Sequence, residues 1–291
     1  MKAIRLKTEF LSNPIGVDFQ NPLLTWNCEG GVKQTAYRIV AKIDDTTVWD
    51  SGKVMSSSMR ATYPLELHSR ERVEWRISLW DENDLEGEAS EAFFEMGLLK
   101  PEDFQAKWIT GNYKANKKER YPVDCFRKIF TAAKVKKARL YATACGLYEA
   151  QINGKKVGDF VLAPGITNYK KRLQYQTYDV TDLLCDGENV LTAELADGLY
   201  RGSCGAWGIK NQYGKETKLW MQLEIECEDG KHLICTDESF DWTNGGPIRF
   251  ADNKDGEIVF APIETQYICK AKLTKCSVLP SASNNVNLTE H

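Results

Sequence analysis

The densest grouping of ligand-binding residue types is the stretch Tyr200-Arg201-Gly202-Ser203-Cys204-Gly205-Ala206-Trp207-Gly208-Ile209-Lys210-Asn211-Gln212-Tyr213-Gly214. Sugars are held by aromatic rings against their C–H faces and by planar polar groups paired to hydroxyls. Trp207, Tyr213 and Tyr200 offer the first, and Arg201 and Asn211 the second. The four glycines let a backbone approach a ligand closely. Asn168 adds a further amide, because Pro164-Gly165 predicts a turn that brings Thr167, Asn168 and Tyr169 to the surface. The same composition also suits a purely structural loop, and both readings stand at this level.

Other chemistries are less well served. Asp and Glu total 41, so carboxyl pairs suited to acid–base work arise by chance and no pair can be singled out. Nine cysteines are scattered at Cys28, Cys125, Cys145, Cys185, Cys204, Cys227, Cys235, Cys269 and Cys276 without a C-x-x-C pair. With histidine only at 68, 232 and 291, the spacing predicts neither zinc nor a disulfide framework, but reduced thiols acting as small hydrophobes.

Composition sets wider bounds. A chain of 291 residues with 42% hydrophobic and 27% charged residues can fill two cores. A formal net charge of −3 gives no electrostatic reason for nucleic acid or an anionic membrane as partner. The start, Met1-Lys2-Ala3-Ile4-Arg5-Leu6-Lys7, breaks each apolar run with a charge and predicts no secretory leader. A cytoplasmic location is the expectation.

The elements that must position these residues are strands. Tyr37–Ile43, Val73–Trp80 and Leu219–Glu226 alternate in polarity, which predicts antiparallel sheets with one buried and one wet face. Asp50-Ser51-Gly52, Asn153-Gly154, Asp186-Gly187 and Asp229-Gly230 mark turns, and Asn153-Gly154 reads as a two-residue hairpin. No segment carries a sustained helical stripe. The fold class is therefore all-β: an immunoglobulin- or fibronectin III-like sandwich over residues 1–99, then a jelly-roll sandwich over 100–268, with 269–291 as a tail. Trp26, Trp49, Trp75 and Trp80 are expected in the first core, and Tyr175, Tyr178 and Leu184 in the second.

Linked motifs in the second region are specific. Ala138-Arg139-Leu140-Tyr141-Ala142-Thr143-Ala144-Cys145-Gly146-Leu147-Tyr148-Glu149 precedes Ile152-Asn153-Gly154-Lys155-Lys156-Val157-Gly158-Asp159. Then come Leu162-Ala163-Pro164-Gly165, Tyr175-Gln176-Thr177-Tyr178-Asp179-Val180-Thr181, Gly187-Glu188-Asn189-Val190 and Asp197-Gly198-Leu199-Tyr200-Arg201-Gly202. This series resembles the N-terminal β-domain of bacterial α-L-rhamnosidases, glycoside hydrolase family 78. Gln34–Ile39, Trp49–Lys53 and Trp75-Arg76-Ile77 resemble the fibronectin III-like module that precedes it in those enzymes.

The resemblance implies a non-catalytic role for this stretch, because the family's hydrolysis takes place in a later helical barrel. The implied partners are a rhamnose-containing glycan and that catalytic domain; the alternatives are a free-standing lectin-like module and a scaffold. No cofactor is required, although related modules of carbohydrate-binding module family 67 hold rhamnose through calcium. The nearest Asp-Asn pair, in Asp252-Asn253-Lys254-Asp255, leaves open a calcium site of Asp252, Asn253 and Asp255 or a solvated turn; Lys254 excludes an EF-hand. After Gly256-Glu257 the sequence departs from the family's aromatic-Asp-Ala-Arg and reads Ile258-Val259-Phe260-Ala261-Pro262.

Overall fold

The computed structural model describes residues 1–282. Two compact units divide between Asp103 and Phe104. In the first, a small sheet of Lys2–Thr8, Leu23–Glu29 and Arg60–Thr62 accompanies a larger one. The larger runs in the order Ile15–Val17, Ser90–Met96, Arg72–Trp80, Ala36–Ile43 and Thr46–Asp50. Arg72–Trp80 alternates as its sequence predicts, burying Val73, Trp75, Ile77 and Leu79. Trp26 and Trp75 lie in the core with Tyr63 and Phe94, while Trp49 packs at its margin. Trp26 Nε1 donates to Gln34 Oε1 at 2.9 Å, and the Gln34 amide donates to the carbonyls of Ser56 and Ser58, so the buried indole N–H has its partner.

The second unit is a sandwich of two sheets. One follows the order Lys272–Leu273, Ile109–Thr110, Lys218–Cys227, Val135–Cys145, Leu173–Asp179 and Pro280–Ala282, with Gly230–Cys235 also paired to Lys218–Cys227. The other follows Lys155–Lys156, Leu147–Ile152, Gly187–Ala196, Asp124–Ala132, Asp241–Thr243 and Cys269–Lys270. Phe126, Leu140, Leu191, Leu195, Leu219, Met221, Leu223 and Trp242 fill the space between them. A separate ribbon joins Ile248–Asp252 to Gly256–Val259. Among the described residues, the only α-helix is Gly198–Arg201, and no helix is long and apolar enough to cross a membrane.

Three details differ from the pattern read in the sequence. Lys218–Cys227 is buried on both faces over its first half, because residues 104–106 cross the second face. There Gln105 N donates to Gln222 Oε1 at 2.8 Å, and Trp220 Nε1 donates to the Ala106 carbonyl at 2.9 Å. Polarity alternates, but Gln222 and Trp220 satisfy their polar atoms on a backbone rather than in water. Residues 269–282 add three short strands to the second unit; they are too short to show a period. Tyr169 is buried rather than presented at the surface, because its ring packs edge-on against Tyr200 and Tyr213.

Asn153-Gly154 forms the tight turn, with φ of 52° and 75°. Asn153 Nδ2 donates to the Leu183 carbonyl at 3.0 Å and to Asn189 Oδ1 at 2.8 Å. Asn189 is fully buried, and its own amide donates to the carbonyls of Cys185 and Gly187. Asn189→Ala strips these partners from buried groups and should destabilise the protein by about 2–4 kcal/mol. Urea unfolding that shows a lower midpoint with unchanged slope checks this. An unchanged midpoint would contradict it.

Candidate ligand-binding loop and its buried support

Strand Gly187–Ala196 ends at Asp197, and the single helical turn Gly198–Arg201 leads into the glycine-rich loop. Asp197 and Arg201 therefore stand one turn apart, and both are buried. Arg201 Nε donates to Asp197 Oδ1 at 2.7 Å, and Nη1 donates to the Tyr113 hydroxyl at 2.6 Å. Tyr113 donates onward to Asp124 Oδ2 at 3.2 Å. Thr217 Oγ1 donates to the same oxygen at 3.0 Å, and Trp242 Nε1 reaches Oδ1 at 3.0 Å. Asp124 is 0% exposed.

Burial pushes the Asp124 carboxyl up to about 6, against the opposing pull of Arg201 and its three donors. Burial also raises Asp197, again opposed by Arg201. The Arg201 guanidinium stays charged, because the attraction of Asp197, Tyr113 and Asp124 outweighs its desolvation. The charged members of this cluster are buried, and Tyr113 is half-buried. The cluster holds the loop in place from below and exposes no acid or base to a substrate.

The loop itself is braced by the neighbouring ribbon. Ser203 N donates to Asp252 Oδ2 at 2.5 Å, while Lys254 N and Asp255 N donate to Oδ1 at 2.7 and 3.1 Å. Ser203 Oγ and Arg120 Nη2 both reach Asp255 Oδ2, at 2.8 and 2.5 Å. Lys254 Nζ donates to the Gly205 carbonyl at 2.6 Å. Cys204 and Ile209 pair through both backbone bonds, closing a turn over Gly205-Ala206-Trp207-Gly208. Trp207 stands on that turn with 92% of its surface exposed.

The residues singled out in the sequence thus separate. Trp207 is at the surface. Tyr200 is buried and Tyr213 half-buried; their rings stack at 6.4 Å, and Tyr169 meets both. Beneath them the Cys145 and Cys276 sulfurs lie 4.0 Å apart, and the Cys276 thiol is held below its usual value, chiefly by the bond from Cys145. All nine cysteines are free. Arg201 is 5% exposed and committed to Asp197 and Tyr113, so it reaches no surface ligand without rearrangement. Asn211 sits at the loop base with φ of 56°, its amide on the Lys117 carbonyl at 3.2 Å. Asn168 is exposed in a separate turn, where its Oδ1 accepts Lys170 N.

Asp252, Asn253 and Asp255 do not fit a calcium ion. Calcium takes six to eight oxygen ligands. Here backbone N–H groups occupy both Asp252 oxygens, Asn253 is exposed, and Arg120 and Lys210 face Asp255. No residue pattern signals the Asp124–Tyr113–Arg201 cluster directly. An aspartate inside the otherwise apolar Val123-Asp124-Cys125-Phe126 was its one trace.

Residues 133–289 match the model of the α-L-rhamnosidase N-terminal domain, more than half of the chain. The chain belongs to that family. Residues 3–100 match the N-terminal immunoglobulin domain of Rha78A-like proteins. An α-L-rhamnosidase of Formosa agariphila is 36% identical over 280 residues, covering 88% of this chain and 30% of that protein. The solved α-L-rhamnosidase of Dictyoglumus thermophilum superposes with a TM-score of 0.81 at 33% identity, over 95% of this chain and 34% of the other. That of Aspergillus terreus gives 0.82 at 32% identity, over 88% and 31%. The chain thus spans about a third of the length of the α-L-rhamnosidases it matches, and corresponds to their N-terminal region.

Two outcomes follow for this α-L-rhamnosidase N-terminal region. Asp124 has an ordinary value of 3.8 and a folded value of about 6, so the folded state holds the proton more tightly. The stability it contributes is complete below about pH 4 and is lost as pH rises through about 6. Asp124→Asn removes that titration, so the variant should gain stability relative to the parent between pH 4 and 6.5; parallel urea curves with pH would contradict it. Separately, a Cβ at Gly202 would lie 2.1 Å from Asp252 Oδ2 and 2.4 Å from the Gly198 carbonyl. Gly202→Ala should therefore detach the loop from the ribbon and accelerate limited proteolysis within residues 202–214, with mass spectrometry locating the cut.

Proposed function

We propose that this chain is a non-catalytic N-terminal region of an α-L-rhamnosidase that binds rhamnose-containing glycans at the Trp207 turn and supports the catalytic part of the protein. The observation that carries the binding role is an almost fully exposed indole on a turn whose carbonyls and flanks are held by Lys254, Asp252 and Asp255. A turn held in this way presents the ring without having to be ordered when a sugar's C–H face settles on it. The matched relatives are α-L-rhamnosidases, which makes the rhamnosyl unit the first ligand to try. Calcium is not needed on this reading.

Two further features favour the supporting role. The carboxylates Asp124 and Asp197 are buried and bound to fixed partners, so they form no pair flanking a glycosidic bond. On the ribbon and just past it, Ile258, Val259 and Phe260 are each more than half exposed, which suits a surface covered by another part of the protein. A free-standing lectin-like module would share the Trp207 site but have no use for that apolar run.

Calorimetry of the chain with methyl α-L-rhamnoside and with a rhamnose-containing oligosaccharide should show saturable binding, unchanged by EDTA. Trp207→Ala should weaken it by about tenfold or more, which is about 1.4 kcal/mol, with unfolding unaffected because the side chain packs on little. Binding retained in the variant would remove the Trp207 site. Turnover of p-nitrophenyl α-L-rhamnoside by the pure chain would overturn the non-catalytic reading.

A further inference from the structure

Far along the same sheet from the glycine-rich loop in sequence, the strand Lys218–Cys227 turns at Glu228-Asp229 and returns as Gly230–Cys235. The register pairs Cys227 with Gly230 and Ile225 with His232. Residues two apart on a strand share a face, as do directly paired residues across it. His232 therefore stands on the same face as Cys227, and Asp229 closes the end of the hairpin beside them. The Cys227 sulfur, an Asp229 carboxylate oxygen and a His232 ring nitrogen all lie within 4.8 Å of one another. His232 Nε2 is 2.9 Å from Asp229 Oδ1.

We propose that Cys227, Asp229 and His232 form a binding site for a borderline transition-metal dication of the zinc, cobalt or nickel class. One thiolate, one imidazole and one carboxylate supply three of four tetrahedral positions, and water completes the fourth. Such a donor set excludes calcium and magnesium, which require oxygen ligands. With bonds of about 2.0–2.3 Å, tetrahedral ligands stand about 3.3–3.7 Å apart. The trio is thus near the required spread: the nitrogen–oxygen contact must open by a few tenths of an ångström, and the others close by at most about 1.5 Å.

The local structure allows that adjustment. Cys227 is buried at the base of the site, 7% exposed, whereas the side chains of Asp229 and His232 are 73% and 44% exposed and free to turn toward an ion. Nearby charges are already paired: Glu226 with Lys231 at 3.3 Å, and Glu228 with Lys134 at 2.7 Å. Binding exchanges the Cys227 S–H bond for a metal–sulfur bond and releases that proton to solvent. The thiolate and carboxylate then neutralise the dication. The ion clips the edge strand Gly230–Cys235 to its neighbour beside the turn of the hairpin. The spacing is Cys-x-Asp-x-x-His, with no C-x-x-C pair in it.

The test is titration of the reduced chain with cobalt(II), with absorbance as the readout. One equivalent should give a thiolate-to-cobalt charge-transfer band together with the visible bands of four-coordinate cobalt, and zinc should displace it. His232→Ala changes a largely exposed side chain and should abolish the four-coordinate spectrum. Asp229→Asn should weaken binding by about tenfold or more. Cys227→Ser should remove the charge-transfer band, while Cys276→Ser should keep it. Zinc should also raise the midpoint of thermal unfolding of the parent, and not of His232→Ala. Absence of a charge-transfer band, or its persistence in His232→Ala, would overturn the site.

Discussion

A buried guanidinium between two carboxylates organises the loop-bearing end of the second sandwich. Taking Arg201, Asp197 and Asp124 out of water is costly, and the attraction between the opposite charges offsets that cost while they stay together. Arg201 spends its bonds on Asp197 and on the Tyr113 hydroxyl, and Tyr113, Thr217 and Trp242 fill the oxygens of Asp124. These groups come from separate parts of the chain, so the cluster acts as a register pin. It ties the last residue before the helical turn to the start of strand Asp124–Ala132 and to residue 217 just before strand Lys218–Cys227. A shift of any one of them would leave a buried charge unpaired.

That constraint explains how a loop rich in glycine can hold a defined shape. Gly202 and Gly214 are where the backbone must pass closest to neighbours: the Asp252 carboxylate in one case and the Tyr200 ring in the other. Between them, the turn is fixed by bonds from side chains of a different ribbon to its own backbone. Side chain-to-backbone bonds of this kind do not depend on the identity of the loop residues. Trp207 can therefore be exposed and make few contacts without loosening the turn that presents it.

Hairpins and periods were the readable part of the sequence because their physics is local. Asn153-Gly154 needs two residues with positive φ, and alternation of Val73 to Leu79 records a single buried face. Burial of polar groups is set by distant partners and left no such record. Arg201 and Tyr200 are residue types that normally reach the surface, and their motif looks the same whether the guanidinium meets a hydroxyl of a ligand or of Tyr113. Likewise, Asp252 and Asp255 are acidic in a turn, but only the fold reveals that Ser203, Lys254 and Arg120 have claimed them. Tyr169 was hidden for a related reason: the aromatic cluster that buries it is assembled from Tyr200 and Tyr213, over 30 residues away.

The same division separates the core from the loop within the second unit. Its core lies between the sheets, from Phe126 and Leu140 to Leu223 and Trp242, and the loop's supports lie at one end of it. Trp242 belongs to both, since its ring packs in the core and its Nε1 holds Asp124. Changes on the ribbon, at Asp252 or Lys254, should then alter the presentation of Trp207 with little coupling to core residues such as Leu191 or Leu223. Changes at Trp242 should couple to both, because one side chain carries the packing and the hydrogen bond together. Trp242→Phe keeps an aromatic ring but orphans Asp124 Oδ1, and Asp124→Asn alters the same bond from the other side. In a double-mutant cycle, their effects on stability should combine to less than their sum, whereas Trp242→Phe and Lys254→Ala should add.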